Sequence, residues 1–180
     1  MKSNFDECLA MLLEHEGGFT ADKRDKGNAG DGHGNQGSTM LGVTSRVYAD
    51  WTGKPAPIEV MEALTPDDVA PIYKKNYWDR VKGDQLPSGV DWCAFDWAVN
   101  SGSGRPAKAI QRAVGATQDG AIGNQTLGLI AEKEPKFIID YVYTVRQAFY
   151  ESLDDYKHFG RGWSRRNTET LHQAMKMAEE

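Results

Sequence analysis

The chain has 180 residues, 39% hydrophobic and 26% charged, which is the composition of a soluble globular protein long enough to bury one sizeable core. Its formal net charge of −5 argues against a general nucleic-acid binder, which would be basic, and against simple electrostatic capture of an anionic surface. No apolar run approaches the roughly 18 residues of a membrane-crossing helix, so no membrane insertion is expected.

Residues 5–16 carry apolar side chains at helical spacing. At about 100° per residue, Phe5, Leu9 and Leu12 share one stripe, with Cys8 and Leu13 flanking it. Ser3 or Asn4 can cap this helix, and Asp6 lies in its first turn near the positive end of the dipole. Glu16 falls in the middle of the stripe, and Glu14 on the opposite face. A carboxyl at the end of an inward stripe loses solvent, which raises its pKa and suits it to general acid work. The alternative is a frayed helix end with Glu16 turned to water. The pattern alone leaves both open.

Gly17-Gly18 end the helix, and residues 20–38 read as a loop holding Gly27, Gly30, Gly32, Gly34 and Gly37. Residues 32–37 match the dinucleotide fingerprint by letter. No apolar strand precedes them and no helix follows at once, so nucleotide binding is not expected. Residues 39–44 suit a short strand in a small hairpin. Val47, Tyr48 and Trp51 continue as a short helix that stops near Gly53 and Pro55. Thr65-Pro66 reads as a cap with proline at the first helical position, opening a helix over 69–78.

Residues 90–100 are strongly apolar and form the best candidate for a central buried helix. On it Asp96 and Asn100 lie one turn apart, either as a polar strip on a cleft floor or as a buried hydrogen-bonded tie between helices. A helix over 109–115 ends in glycine, a glycine-turned loop leads to another, and a long helix covers 137–156. The stretch 157–166 carries four firm positive charges and no acid ahead of a final helix. Cys8 and Cys93 fit small buried residues, with no redox spacing. None of the four histidines has metal-ligand spacing, so neither a metal nor an organic cofactor is expected.

Taken together, Glu16-Gly17-Gly18-Phe19, the following Asp22 and Asp25, and Gly42-Val43-Thr44 resemble the opening of glycoside hydrolase family 108. So do Asn76-Tyr77-Trp78-Asp79, the run from Gly83 to Gly89, and the run from Phe95 to Gly102. The resemblance implies a mainly α, lysozyme-like two-lobed fold with a small β-hairpin beside the active-site cleft. It also implies N-acetylmuramidase activity on peptidoglycan glycan strands. Residues 1–95 would be the catalytic half. Residues 96–180 would be a helical, peptidoglycan-binding-like half packed on it as one globular unit, the whole acting as a monomer. Lys23 and Lys26 depart from the family, which usually has prolines after its aspartates, and the loop from Asp25 to Gly42 is longer and richer in glycine.

Glycosidic cleavage needs a proton on the leaving oxygen and charge stabilised at the sugar carbon. The resemblance assigns Glu16 as general acid and Asp25, nine positions on, as the group that stays ionised, with Asp22 the alternative. The interval is similar to that of phage lysozymes, where a threonine helps to hold water. Thr39 is the expected equivalent here, with Thr44 second. Asp22, Thr44, Trp78, Asp96 and Asn100 are the expected substrate-binding residues. Trp51, Tyr77 and Trp78 are candidates for stacking on sugars, although aromatics in such number are more often core. A lytic transglycosylase needs only one glutamate and is the competing enzyme reading; a wall-binding scaffold without activity is the competing non-enzyme reading. Residues 1–7 lack a basic segment leading into an apolar one, so no secretory signal is expected. A wall-cutting enzyme of this kind would be made in the cytoplasm, released by another route such as a holin, and act in the periplasm.

Overall fold

Helix α1 (Phe5–His15) forms on the predicted stripe: Phe5, Cys8, Leu9 and Leu12 are all buried, and Glu14 is exposed. The structure, a computed structural model, describes residues 4–179. Ser3 therefore lies outside the described residues. Asn4 donates its amide to Ser88 Oγ at 3.2 Å and Asp91 Oδ2 at 2.9 Å.

The chain divides into two compact units. One is Asp6–Lys74; the other gathers Asn4, Phe5 and the residues from Lys75 onward. Trp78, whose fully buried ring meets Phe5 and Phe95 edge-on, each at 5.4 Å, belongs to the core around the later helices.

In the unit Asp6–Lys74, strands β1 (Thr39–Met40) and β2 (Val43–Thr44) make a two-residue antiparallel hairpin, Thr39 opposite Thr44 and Met40 opposite Val43. Its turn residues, Leu41 and Gly42, both have positive φ, 50° and 75°, the geometry that matches the twist of paired strands. Gly42 adopts it without strain, whereas Leu41 costs about 1–2 kcal/mol. The buried Tyr73 holds the turn by donating its hydroxyl to the Leu41 carbonyl at 2.8 Å. Thr20 pairs with Thr39 through two backbone hydrogen bonds of 2.9 and 2.8 Å.

Helix α2 (Ser45–Thr52) starts at the Thr44 hydroxyl, which accepts the Val47 N–H at 3.3 Å, and ends at Gly53. After the short α3 (Ile58–Glu62) comes α4 (Pro66–Tyr73). The Asp68 carboxylate accepts the Thr65 N–H at 2.8 Å and the Thr65 hydroxyl at 2.6 Å, closing the start of α4. The helix expected over 69–78 thus begins earlier and ends at Tyr73. From there the backbone widens into a π turn, Lys74–Trp78, and two 3₁₀ turns, Asp79–Val81 and Gly83–Gln85. Pro71 had already removed one ladder bond from α4.

The glycine-rich loop lacks an apolar stripe but is organised by Asp31, which is fully buried. Its carboxylate accepts the N–H groups of His33 (2.8 Å), Asn35 (3.1 Å) and Ala56 (2.9 Å) and the Asn35 side-chain amide (2.8 Å). These donors, led by the Asn35 amide, hold its pKa well below the ordinary value against the opposing effect of burial. The run that mimics a nucleotide fingerprint wraps the protein's own anion.

The second unit contains α5 (Val90–Ser101), α6 (Gly104–Val114), α7 (Asn124–Ala131), α8 (Pro135–Glu151) and α9 (Tyr156–Met177). Every residue of α5 from Val90 to Ala98 is buried, and α6, α8 and α9 all pack on it. The long helix expected over 137–156 starts two residues earlier and stops at Glu151, where the Ser152 hydroxyl binds the Phe149 carbonyl at 2.6 Å. The basic stretch 157–166 does not precede the last helix; it lies inside α9. Neither cysteine is in a disulfide and both are buried; burial, ahead of the nearby Asp91 charge, pushes the Cys93 thiol up to about 12, which leaves it unreactive. Among the described residues no helix is long and apolar enough to cross a membrane.

Candidate functional site

The chemistry-bearing side chains of the Asp6–Lys74 unit collect around the hairpin. Glu16 follows directly after α1, its N–H still bonded to the Leu12 carbonyl at 3.3 Å, and its side chain is half-buried. A methyl group added at Gly42 would stand 2.8 Å from Glu16 Oε2 and would collide with the Tyr73 hydroxyl. The carboxylate, the tip of the hairpin and the tyrosine therefore converge on the space that the missing Cβ leaves open. Packing of the α1 stripe on one side and the left-handed turn on the other fixes where this acid stands.

The two aspartates differ in what they hold. Asp22 takes a forked ion pair from Arg24, with Nε at 3.0 and 3.1 Å from its two oxygens and Nη2 at 2.6 Å, plus the Arg24 N–H at 3.0 Å. The guanidinium keeps its carboxyl below the ordinary range. Both of its oxygens are committed. Asp25 spends Oδ1 on the Gly27 N–H at 2.8 Å, capping the 3₁₀ turn Lys26–Asn28. Its Oδ2 accepts no hydrogen bond from the described residues, and the side chain is exposed.

Asn28 is a residue the sequence did not single out. It is buried, donates its amide to the Asp22 carbonyl at 3.0 Å, and accepts the Thr39 hydroxyl at 2.7 Å. It thereby fixes the aspartate loop to the first strand of the hairpin. Because the Thr39 hydroxyl gives its only proton to Asn28, its oxygen can act only as an acceptor toward anything else. Asn28 and Thr39 lie eleven residues apart on a turn and a strand, and no periodicity links such a pair in advance.

Other expected substrate contacts are occupied elsewhere. The Thr44 hydroxyl caps α2. Trp78, expected to stack on a sugar, exposes no surface and donates its indole N–H to Asp84 at 2.8 Å. It is core, because the widened turn after α4 carries it inward. Asp96, expected on a substrate-binding strip, is fully buried; it pairs with Arg146 at 2.6 Å and with Arg166 at 2.8 Å, and accepts the Thr170 hydroxyl at 3.2 Å. Burial drives its pKa up, but the two guanidinium groups outweigh burial and hold it below the ordinary value. Asn100, exposed one turn on, accepts the Tyr150 hydroxyl at 2.8 Å, and that hydroxyl accepts Arg146 Nε at 2.8 Å. Asp96 is the buried inter-helix tie of the two sequence alternatives, and the exposed Asn100 joins it through the Tyr150 hydroxyl. Trp51 remains 38% exposed and Tyr77 is half-buried. Among the described residues no three His, Cys, Asp or Glu side chains are grouped so as to hold a metal ion.

A mainly helical chain with one small hairpin set against a helix-end glutamate has the lysozyme-like fold of glycan-cleaving enzymes. The chain belongs to glycosyl hydrolase family 108, whose profile matches residues 9–102, and by family it is a glycoside hydrolase. It is also similar to the solved structure of SagA from Brucella abortus, with 31% identity and a TM-score of 0.81, over 98% of this chain and 97% of that one. Among curated proteins none matches it.

Proposed function

We propose that the chain is a peptidoglycan hydrolase, an N-acetylmuramidase that cleaves the β-1,4 bond between N-acetylmuramic acid and N-acetylglucosamine. In this reading Glu16 donates a proton to the glycosidic oxygen as the bond to the sugar carbon breaks. A water molecule, donating one hydrogen to the Thr39 oxygen and the other to Asp25 Oδ2, attacks that carbon from the opposite face. Asp25 takes the water's proton, and the anomeric configuration inverts. Asp22 serves by holding Arg24 and the loop.

The observation that carries this reading is the unequal commitment of the two aspartates in the loop that follows the glutamate: Arg24 takes both oxygens of Asp22, while Asp25 keeps one open. A paired carboxylate favours hydrolysis over transglycosylation, which needs none. The biological role that fits is local opening of the wall, for lysis or for release of proteins through it.

Turbidity clearing of purified walls tests the assignment. Glu16→Gln is expected to lower the rate by about 10²–10⁴-fold, with Glu14→Gln close to wild type. A Glu16→Gln protein that clears walls normally refutes the acid. Reducing ends in the digest support hydrolysis, whereas anhydro-muramic ends mean transglycosylation.

A further inference from the structure

The Tyr73 hydroxyl has a second oxygen in front of it besides the one it bonds. It donates its only proton to the Leu41 carbonyl at 2.8 Å. That hydroxyl and Glu16 Oε2 both lie less than 3.0 Å from the point where a Cβ on Gly42 would stand. The missing side chain therefore leaves one small space, with the carboxyl on one side and the phenol on the other. Tyr73 closes α4 and is 3% exposed, so its ring is held in place. Glu16 stands just past α1 and is half-buried, which gives its carboxyl room to turn toward the ring.

The two acceptors differ in charge. The Leu41 carbonyl is neutral and belongs to a residue strained at φ 50°. The Glu16 carboxyl is a weak acceptor while it carries its proton, and becomes an anion once that proton passes to the glycosidic oxygen. A hydrogen bond to an anion is about twice as strong as a neutral one. Leu41 is half-buried, so water reaches its carbonyl when the tyrosine leaves it.

We infer that Tyr73 is a positioning residue for the acid, its O–H turning from the Leu41 carbonyl to the Glu16 carboxylate as charge develops there. The inference rests on the proposed role of Glu16. Glu16 gives its proton to the leaving oxygen; Tyr73 keeps its own throughout and changes only the oxygen it points at. When Glu16 takes a proton back from solvent, the bond to Leu41 returns. The donor waits on a buried ring before the charge appears, so its effect falls on the transition state more than on bound substrate.

The test measures turnover of soluble glycan fragments by the full chain. Tyr73→Phe should lower kcat by about 10–100-fold, with KM changed less than about twofold. Glu16→Gln supplies the background that separates the two roles of the tyrosine, because glutamine never becomes an anion. In that background Tyr73→Phe should change the residual rate by less than about twofold. An equal loss in both backgrounds makes the tyrosine a strut for the turn and overturns the inference. Replacing Tyr73 by 3-fluorotyrosine keeps the hydroxyl and makes it a stronger donor. Its kcat should match or exceed wild type; a fall would mean that the hydroxyl serves Glu16 as an acceptor, against the inference. Combining Tyr73→Phe with Leu41→Gly controls for a collapsed turn, since glycine removes the strain at φ 50°. Melting temperature should then recover while kcat stays low. Recovery of kcat along with it, or full kcat in Tyr73→Phe alone, refutes the inference. A Glu16→Gln protein with normal turnover refutes the cleavage reading itself, whatever the tyrosine variants do.

Discussion

Gly42→Ala is the substitution with the clearest arithmetic. Alanine at φ 75° costs about 1–2 kcal/mol relative to a right-handed conformation. Its methyl would also stand 2.8 Å from Glu16 Oε2 while overlapping the Tyr73 hydroxyl, and crowding of that kind costs about 1–3 kcal/mol more. Together these give about 2–5 kcal/mol, or a melting temperature lower by roughly 5–15 °C in a chain of this size. The cheapest relief is for the Glu16 carboxylate to swing away. A displacement near 1 Å costs on the order of 10²-fold in rate. Wall clearing, measured well below the melting temperature, should therefore fall by about 10–100-fold in protein that still shows native circular dichroism. Adding Tyr73→Phe removes the collision with the hydroxyl but not the one with Glu16, so some stability should return without activity. If folded Gly42→Ala protein clears walls at more than half the wild-type rate, the hairpin turn does not fix the acid and the site must be redrawn.

Asn28→Ala breaks the tie between the aspartate loop and Thr39 and should cost about 1–2 kcal/mol, as the half-buried Thr39 hydroxyl and the Asp22 carbonyl lose their partner; activity should fall at least tenfold, read by the same clearing assay. Asp31→Asn should lower the melting temperature at neutral pH. The folded-state pKa of Asp31 is depressed, so its contribution is present above the ordinary value of 3.8 and lost as pH falls below it; the gap between variant and wild type should close in acid. Asp91 behaves oppositely. Burial raises its pKa to about 6, so its contribution is complete below 3.8 and is lost as pH rises through 6, an effect of about 3 kcal/mol at most. Asp91→Asn should flatten that part of a denaturant-stability profile against pH, and an unchanged slope would contradict the assignment.

Helices whose apolar residues repeat on one face were legible before folding. The stripe of α1, the buried α5 and the glycine stop of α6 all follow from local spacing, and so does the exposure of Glu14, whereas the half-burial of Glu16 is one of two outcomes that the pattern left open. What stayed hidden depended on partners far apart in the chain. Asp31 reads as one more loop aspartate until Ala56, twenty-five residues on, is seen to donate to it. Trp78 reads as a sugar platform or, more often for such aromatics, as core, and only the widened turn after α4 decides. The Asp96 and Asn100 spacing predicted a shared face but could not reveal that Arg146 and Arg166 stand there. Among the candidate site residues, the motif singled out both aspartates, yet their unequal hydrogen bonding comes from Arg24 and Gly27, whose bonds depend on turn geometry.

The buried carboxylate of Asp96 bears on how the later helices come into being. Its partners lie 50, 70 and 74 residues further along the chain, so closing these contacts requires large loops and their entropy. On a ribosome, α5 would emerge with a naked anion in its apolar face and wait through the synthesis of three more helices before Arg166 and Thr170 arrive. That half of the molecule should mature in a single late step, with no native-like fragment ahead of it.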